Sequence, residues 1–365
     1  MPTATSVAAI AVDPKHPHSL QRTTIDLPDL GPHDVLVDVV RVGVCGTDRE
    51  IIHGEIGFAP EGHELLVIGH EVLGRVSTTG EAVSDLSPGD LVTATVRRPD
   101  GCPACQAGQP DMCLWLHYTE RGINGANGYM ARQFVESREH LIPVPDELEA
   151  TGVLVEPLTV VEKAVRQAQL IQRRMAYWEP KTAIVTGAGP IGILGSLLLR
   201  SMGVEVYTVA RTPAPNTSAD VLAKAGAHYI STKDETLAQL AERVGAVDLM
   251  LESTGASQVG FDAMQVLGNN GVLVLLSLTG GGHTFEVPGD TINTSLVVGN
   301  KVVVGSVNAG AEDFTHAVKR LGTFDQMWPG LAVSLITSRL PFDGDLDAIA
   351  AKATGGIKTV VEMQG

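Results

Sequence analysis

The chain has 365 residues, 44% of them hydrophobic, enough for two domains with separate cores. Lys and Arg total 26 against 42 for Asp and Glu, a formal net charge of -16, which argues against non-specific binding to nucleic acid or to an anionic membrane surface. There is no apolar run of about 20 residues and no basic-then-apolar leader at Met1, so neither a membrane span nor export is expected and the location should be cytoplasmic.

In chain order, 7–12 is a short apolar run and 34–44 alternates with β-branched residues; both read as strands, and the Pro- and Gly-containing stretches around them suggest a small β-barrel. The chain then reads Cys45-Gly-Thr47-Asp48 and, after a loop rich in Gly and Pro, Gly69-His70-Glu71. A thiolate, an imidazole and a carboxylate from two nearby segments can close around one Zn²⁺, and three protein ligands would leave a fourth position open for chemistry. The plain alternative is a buried thiol beside a surface His-Glu pair. His63-Glu64 imitates the second segment at a seven-residue offset and reads as solvent-facing. A strand pair is expected over 67–76, broken at Gly69-His70-Glu71, and another strand over 91–96.

Cys102, Cys105 and Cys113 fall within one short segment. In a reducing compartment such a cluster points to a metal site rather than a disulfide framework, because Cys-x-x-Cys turns two thiolates toward one centre. The cysteine count lacks a fourth ligand; Asp100 is the nearest candidate, and reduced thiols without metal are the alternative. Glu120 precedes a Gly- and Asn-rich loop at 122–130. Glu156 stands inside the apolar run 153–158, where a carboxylate must either contact something or suffer desolvation. A helix is expected over 158–175.

The pattern changes after residue 181. The apolar strand 183–186 leads into Gly187-Ala-Gly189-Pro190-Ile191-Gly192 and the helix 193–202, with a second strand at 205–210. This strand, glycine turn and helix order allows a dinucleotide pyrophosphate to approach the backbone and rest on the positive helix end. Where an NAD site usually carries an acid for the ribose hydroxyl, this chain has Ala210-Arg211-Thr212, so NADP is preferred, with NAD possible. Helices at 219–225, 237–244 and 256–267 alternate with strands at 229–230, 248–251 and 271–276. The expected class is therefore α/β, with a doubly wound cofactor domain over 155–306 and a barrel domain formed by 1–154 and 307–365. The last segment should hold a helix at 312–321 and a strand at 358–363.

The series Cys45-Gly-Thr47-Asp48, Gly69-His70-Glu71, Arg97-Arg98, Gly-Gln-Pro-Asp111, Glu120-Arg-Gly-Ile, Glu156-Pro157, Glu162-Lys163, the glycine turn and Gly305-Ser-Val-Asn308 resembles the zinc-dependent glucose dehydrogenases of the medium-chain dehydrogenase/reductase superfamily. The resemblance implies a GroES-like catalytic domain and a Rossmann domain with a cleft between them. It also implies oxidation of the C1 hydroxyl of an aldose, D-glucose foremost, to the aldonolactone, with hydride passing to NAD(P)⁺; zinc-dependent alcohol or polyol oxidation is the alternative within the superfamily. By position, Cys45, His70, Glu71 and Glu156 match catalytic zinc ligands, and Glu156 matches a sugar contact in some members. Thr47 matches a positioning or proton-relay hydroxyl, Asp48 a partner of the metal-bound His, and Glu120 and Asn308 sugar contacts. Gly187, Gly189, Pro190, Ile191, Gly192, Arg211, Thr254, Ser277 and Asn308 match cofactor contacts. Pro99 stands where some relatives have a fourth lobe cysteine, and Val96 where relatives carry an Asn. The implied partners are a small sugar and further copies of the chain, as a dimer or tetramer, with neither nucleic acid nor membrane.

Overall fold

The computed structural model describes residues 6–280, 282–351 and 355–363. The chain forms two compact units, one comprising Met1–Glu156, Asn308–Gly322 and Ile336–Gly365, the other Pro157–Val307 and Thr323–Leu335. Grouping Thr323–Leu335 with the second unit departs from the expected assignment of all of 307–365 to the barrel. The helix Ala311–Met327 runs past the expected end at 321, because Phe314, Ala317, Leu321 and Phe324 continue one buried stripe at helical spacing.

The first unit is built on the strand Asp34–Val44, which pairs antiparallel with Glu71–Thr79, Gln133–Ser137 and Lys358–Glu362. Leu91–Ala94, Leu141–Pro143 and Ile336–Pro341 complete this seven-stranded sheet. A second sheet holds Gln21–Asp26, Ser6–Val12 and Leu66–Val67, and the barrel core between them includes Ile10, Val37, Val42, Ile68, Val92, Met130 and Val361. Alternate residues Val35, Val37 and Val39 are buried as a strand with one core face requires. A register shift between Val39 and Arg41 then re-aims the strand, so that Val42, Gly43 and Val44 are all buried where they approach Glu71.

The strand pair expected over 67–76 is broken where the sequence placed the break, and the strand expected over 91–96 ends early. The 67–76 run becomes Leu66–Val67 in one sheet and Glu71–Thr79 in another. The 91–96 run ends at Ala94, and Arg97–Arg98 opens a third small sheet with Thr119–Arg121 and Gly125–Ala126, the last lying inside the expected 122–130 loop.

The second unit is a six-stranded parallel sheet in the spatial order His228–Ser231, Glu205–Ala210, Thr182–Thr186, Leu249–Glu252, Val272–Leu275, Val302–Gly305. The chain order thus reverses beside Thr182–Thr186, the switch point at which doubly wound sheets bind ligands. Helices Pro190–Ser201, Thr217–Lys224, Leu237–Val244 and Ser257–Val266 connect the strands, and Ile184, Leu240, Met250 and Leu273 form part of its core. Among the described residues, no helix is long and apolar enough to cross a membrane.

Candidate active site

Cys45 follows the strand Asp34–Val44 and is the N-cap of the helix Gly46–Ile52. Asp48, fully buried, organises the surroundings: Oδ2 accepts the Cys45 N–H at 2.7 Å and Oδ1 accepts the Gly69 N–H at 3.1 Å. The same Oδ1 lies 3.6 Å from His70 Nδ1, which leaves Nε2 for other work. Burial opposes charge on both groups, but their mutual attraction outweighs it, so Asp48 is lowered and His70 raised from their ordinary values.

Glu71 begins the strand opposite Gly43, and a Cβ at position 43 would lie 1.9 Å from its Oε2. Glycine is thus required for the carboxylate to occupy its place. Lys358, buried at the start of the last strand, pairs with both Glu71 oxygens and donates to the Val44 carbonyl at 3.1 Å. Sequence reasoning missed Lys358; the available signal was a lysine opening an apolar strand, a placement that burial permits only beside an opposite charge.

The ligating atoms of Cys45, His70 and Glu71 lie within 4.8 Å of one another. Zinc bonds of about 2.0 to 2.3 Å to such donors are compatible with this spacing after small side-chain rotations, and sulfur, nitrogen and oxygen suit borderline-soft zinc. Glu156 is not in this trio. It stands in the first turn of the helix Val155–Gln172, where burial pushes its carboxyl up to about 7 against the pull of His70. Thr47 Oγ1 lies 3.8 Å from Cys45 Sγ. His63 and Glu64 are both exposed.

Asp100 gathers with the three lobe cysteines. Its Oδ2 is 2.9 Å from Cys113 Sγ and its Oδ1 3.4 Å from Cys105 Sγ, while Cys102 and Cys113 sulfurs are 3.9 Å apart. Backbone N–H groups of Cys105 and Leu114 point at Cys102 Sγ, and that of Leu116 at Cys113 Sγ, the environment that stabilises thiolates. Burial pushes Cys105 up to about 11, so a bound cation is needed to keep it ionised at neutral pH. All four cysteines are free of disulfides.

Glu120 faces Arg97 across the small sheet, in direct register. Its Oε1 accepts Arg97 Nε at 3.1 Å, Arg97 Nη2 at 3.0 Å and Asn308 Nδ2 at 2.7 Å. Among the described residues no hydrogen bond reaches Oε2, which is left for a ligand hydroxyl. Arg97 is itself buried, stacked 3.6 Å over the Tyr118 ring. Arg97 was visible in the sequence only as half of an Arg-Arg pair; its ion pair depends on a strand register that composition does not reveal.

In the second unit Gly187 has φ +101° and donates its N–H to the Val209 carbonyl at 2.8 Å. A Cβ on Gly192 would lie 1.9 Å from the Gly187 oxygen, so the turn closes only with glycine there, whereas Gly189 faces open space. Gly189 caps the helix Pro190–Ser201 without a side-chain bond; Pro190, which has no N–H, opens its first turn, and the N–H groups of Ile191 and Gly192 are the donors left for an anion. Arg211 follows the strand Glu205–Ala210, exposed and, among the described residues, without an ion pair. Thr254 and Ser277 follow the strands Leu249–Glu252 and Val272–Leu275, at the carboxyl ends where such sheets bind ligands; Thr254 N–H donates to Glu252 Oε1 at 2.7 Å. Asn308 belongs to the first unit, where its amide is committed to Glu120.

A GroES-like barrel bearing a Cys, His and Glu centre, joined in one chain to a Rossmann sheet with a glycine turn, defines a zinc dehydrogenase of the medium-chain class. The pattern of the alcohol dehydrogenase GroES-like domain matches residues 31–146, and that described as glucose dehydrogenase C-terminus matches 149–363. A glucose 1-dehydrogenase of Methanocella arvoryzae is 41% identical over 97% of this chain and 99% of its own length. One of Thermoproteus tenax is 38% identical over 98% and 99%. The solved structure of Haloferax mediterranei glucose dehydrogenase, in complex with NADP, Zn and gluconolactone, is 31% identical and superposes with a TM-score of 0.88 over 98% of this chain and 99% of that one. The chain belongs to the glucose dehydrogenase family.

Proposed function

We propose that this protein oxidises the anomeric C1 hydroxyl of D-glucose to the lactone, with zinc and NADP⁺ and with NAD⁺ as a possible substitute. The observation that carries this reading is the pairing of the Cys45, His70 and Glu71 trio with the Arg97, Glu120 and Asn308 cluster in one unit. The trio would hold zinc, which when bound supplies Lewis acidity that eases ionisation of a sugar hydroxyl. Asp48 orients His70 and the Cys45 backbone, and Lys358 holds Glu71 in place. Glu156, poised near neutral pH, is suited to ligate the metal or to hold the departing proton, with Thr47 as the positioning hydroxyl. Glu120 presents Oε2 to sugar hydroxyls while Arg97 and Asn308 fix its orientation, a device with no use for a simple alcohol.

The Gly187 to Gly192 turn and its helix end would take the pyrophosphate, with Arg211 on the 2′-phosphate and Thr254 and Ser277 beside the cofactor. Asp100, Cys102, Cys105 and Cys113 would hold a second, structural zinc. We assign the protein to the cytoplasm, consistent with four free cysteines, and expect a dimer or tetramer paired along the edge strand Val302–Gly305.

The test is the initial rate of NADPH formation with D-glucose, before and after chelation, for the native protein and for Cys45→Ala and His70→Ala. Chelator-sensitive turnover that both variants lose while retaining NADP⁺ binding supports the reading. Turnover in either variant refutes the zinc centre, and turnover of alcohols or polyols but not aldoses refutes the sugar assignment.

A further inference from the structure

The ribbon that carries Arg97 and Glu120 is too small to hold itself. Its strands are Arg97–Arg98, Thr119–Arg121 and Gly125–Ala126, and three pieces of two or three residues do not form a stable sheet in water unaided. Backbone bonds join its turn to Phe58, and side chains on its other face tie its strands to the barrel. Arg97 and Glu120 are directly opposite and so project to the same side, whereas Arg98 and Arg121 project to the reverse side, because successive strand residues alternate.

On that reverse side both guanidiniums converge on one carboxylate. Arg98 Nη2 donates to Glu136 Oε2, and Arg121 Nε lies 3.1 Å from the same oxygen. Arg98 also donates to Tyr129 Oη at 3.0 Å and to the Thr95 carbonyl at 2.9 Å, and Arg121 donates to the Val135 carbonyl at 3.1 Å with its plane 5.0 Å from the Tyr129 ring centre. Glu136 is buried on the barrel strand Gln133–Ser137, paired in register with Val35, and its Oε1 accepts the Ser137 N–H at 3.1 Å. Glu136 therefore belongs to the rigid barrel, and Arg98 and Arg121 belong to the ribbon.

We propose that Glu136 is a positioning residue for sugar recognition: by clamping Arg98 and Arg121 to the barrel it sets the height and tilt of the ribbon, and through it the place of the Glu120 carboxylate. The proposal rests on the reading of Glu120 as a sugar contact. Glu136 touches neither sugar nor cofactor; its effect is transmitted by the two-strand register. Replacing it by Gln keeps the shape but removes the charge that two guanidiniums share, so the ribbon loosens while the Cys45, His70 and Glu71 centre, held by Asp48 and Lys358, stays.

The test is a double-substitution cycle of Glu136→Gln with Glu120→Gln, measuring kcat, KM for D-glucose, KM for NADP⁺ and bound zinc. Glu136→Gln should raise KM for D-glucose about tenfold, the loss of one charge-assisted contact, with NADP⁺ KM and zinc content unchanged, and it should add no further rise on top of Glu120→Gln. Glu136→Asp, which restores the charge, should recover part of the loss. A rise at Glu120 with none at Glu136, or two fully additive rises, overturns the positioning role alone. No rise at either position overturns the sugar-contact reading and the proposal with it. Should Glu136→Gln not fold, the same cycle with Arg98→Lys, which keeps a cation but not the planar fork, gives the same decision.

Discussion

Gly43→Ala inserts one methyl group where the metal centre has no room for it. The added Cβ would lie 1.9 Å from Glu71 Oε2 and 3.0 Å from Glu71 Cβ and Cδ, where real contacts stay beyond 3.0 Å. The carboxylate must therefore retreat by about 1 Å, several times the ~0.2 Å that metal bonds tolerate. Retreat also parts Glu71 from Lys358, and an uncompensated buried charge costs roughly 3 to 5 kcal/mol. The expected result is a fall in zinc affinity of at least about 10 to 100-fold, the range seen when groups supporting a metal site are lost, with turnover falling in step and a lowered Tm. Chelator competition measures the affinity and circular dichroism the melting. Gly322→Ala is the matched control: it lies inside the helix Ala311–Met327 with nothing within 4 Å of the new Cβ, and should be neutral or stabilising by up to about 1 kcal/mol. Native zinc affinity in Gly43→Ala would refute the claim that glycine there is needed for Glu71.

Asp100→Ala should remove the lobe metal, lowering bound zinc from two to one per chain on elemental analysis, while Asp100→Cys should retain two. Arg211→Ala should raise KM for NADP⁺ by roughly 10 to 100-fold, the value of a charged contact to phosphate, and leave KM for NAD⁺ nearly unchanged. For Glu136, burial by itself would raise the carboxyl, but Arg121 and Arg98 outweigh it and the net value lies below 4.5. A depressed folded value means stability that is present above the unfolded value and lost as pH falls through the folded one. Thermal melts should therefore show a drop below pH 4.5 that is smaller in Glu136→Gln, the remaining drop coming from other depressed carboxylates such as Asp48 and Asp100. His140, lowered from 6.5 by burial and by Arg98, faces the same cluster and acts in a separate window beginning at its own higher unfolded value.

Much of this protein is legible without coordinates. The glycine turn, the strand before it and the helix after it identify the cofactor sheet, because a βαβ unit is local in sequence and its periodicity is strong. The Cys45, His70 and Glu71 trio is legible for a similar reason: each donor is chemically distinctive and sits in a short motif. Asp100 could be nominated by proximity alone, and its carboxylate meets two of the three thiols.

What tertiary structure decided are relations that no window of sequence contains. Lys358 reaches Glu71 across 287 positions and Asn308 reaches Glu120 across 188, and pairings at that distance follow from sheet order, not from pattern. The bulge at Val39 to Arg41 that turns Gly43 toward Glu71, and the register that sets Arg97 against Glu120 and sends Arg98 and Arg121 to Glu136, are likewise outcomes of strand pairing. Local chemistry names the residues able to bind metal, sugar and cofactor; long-range backbone pairing determines which of them meet.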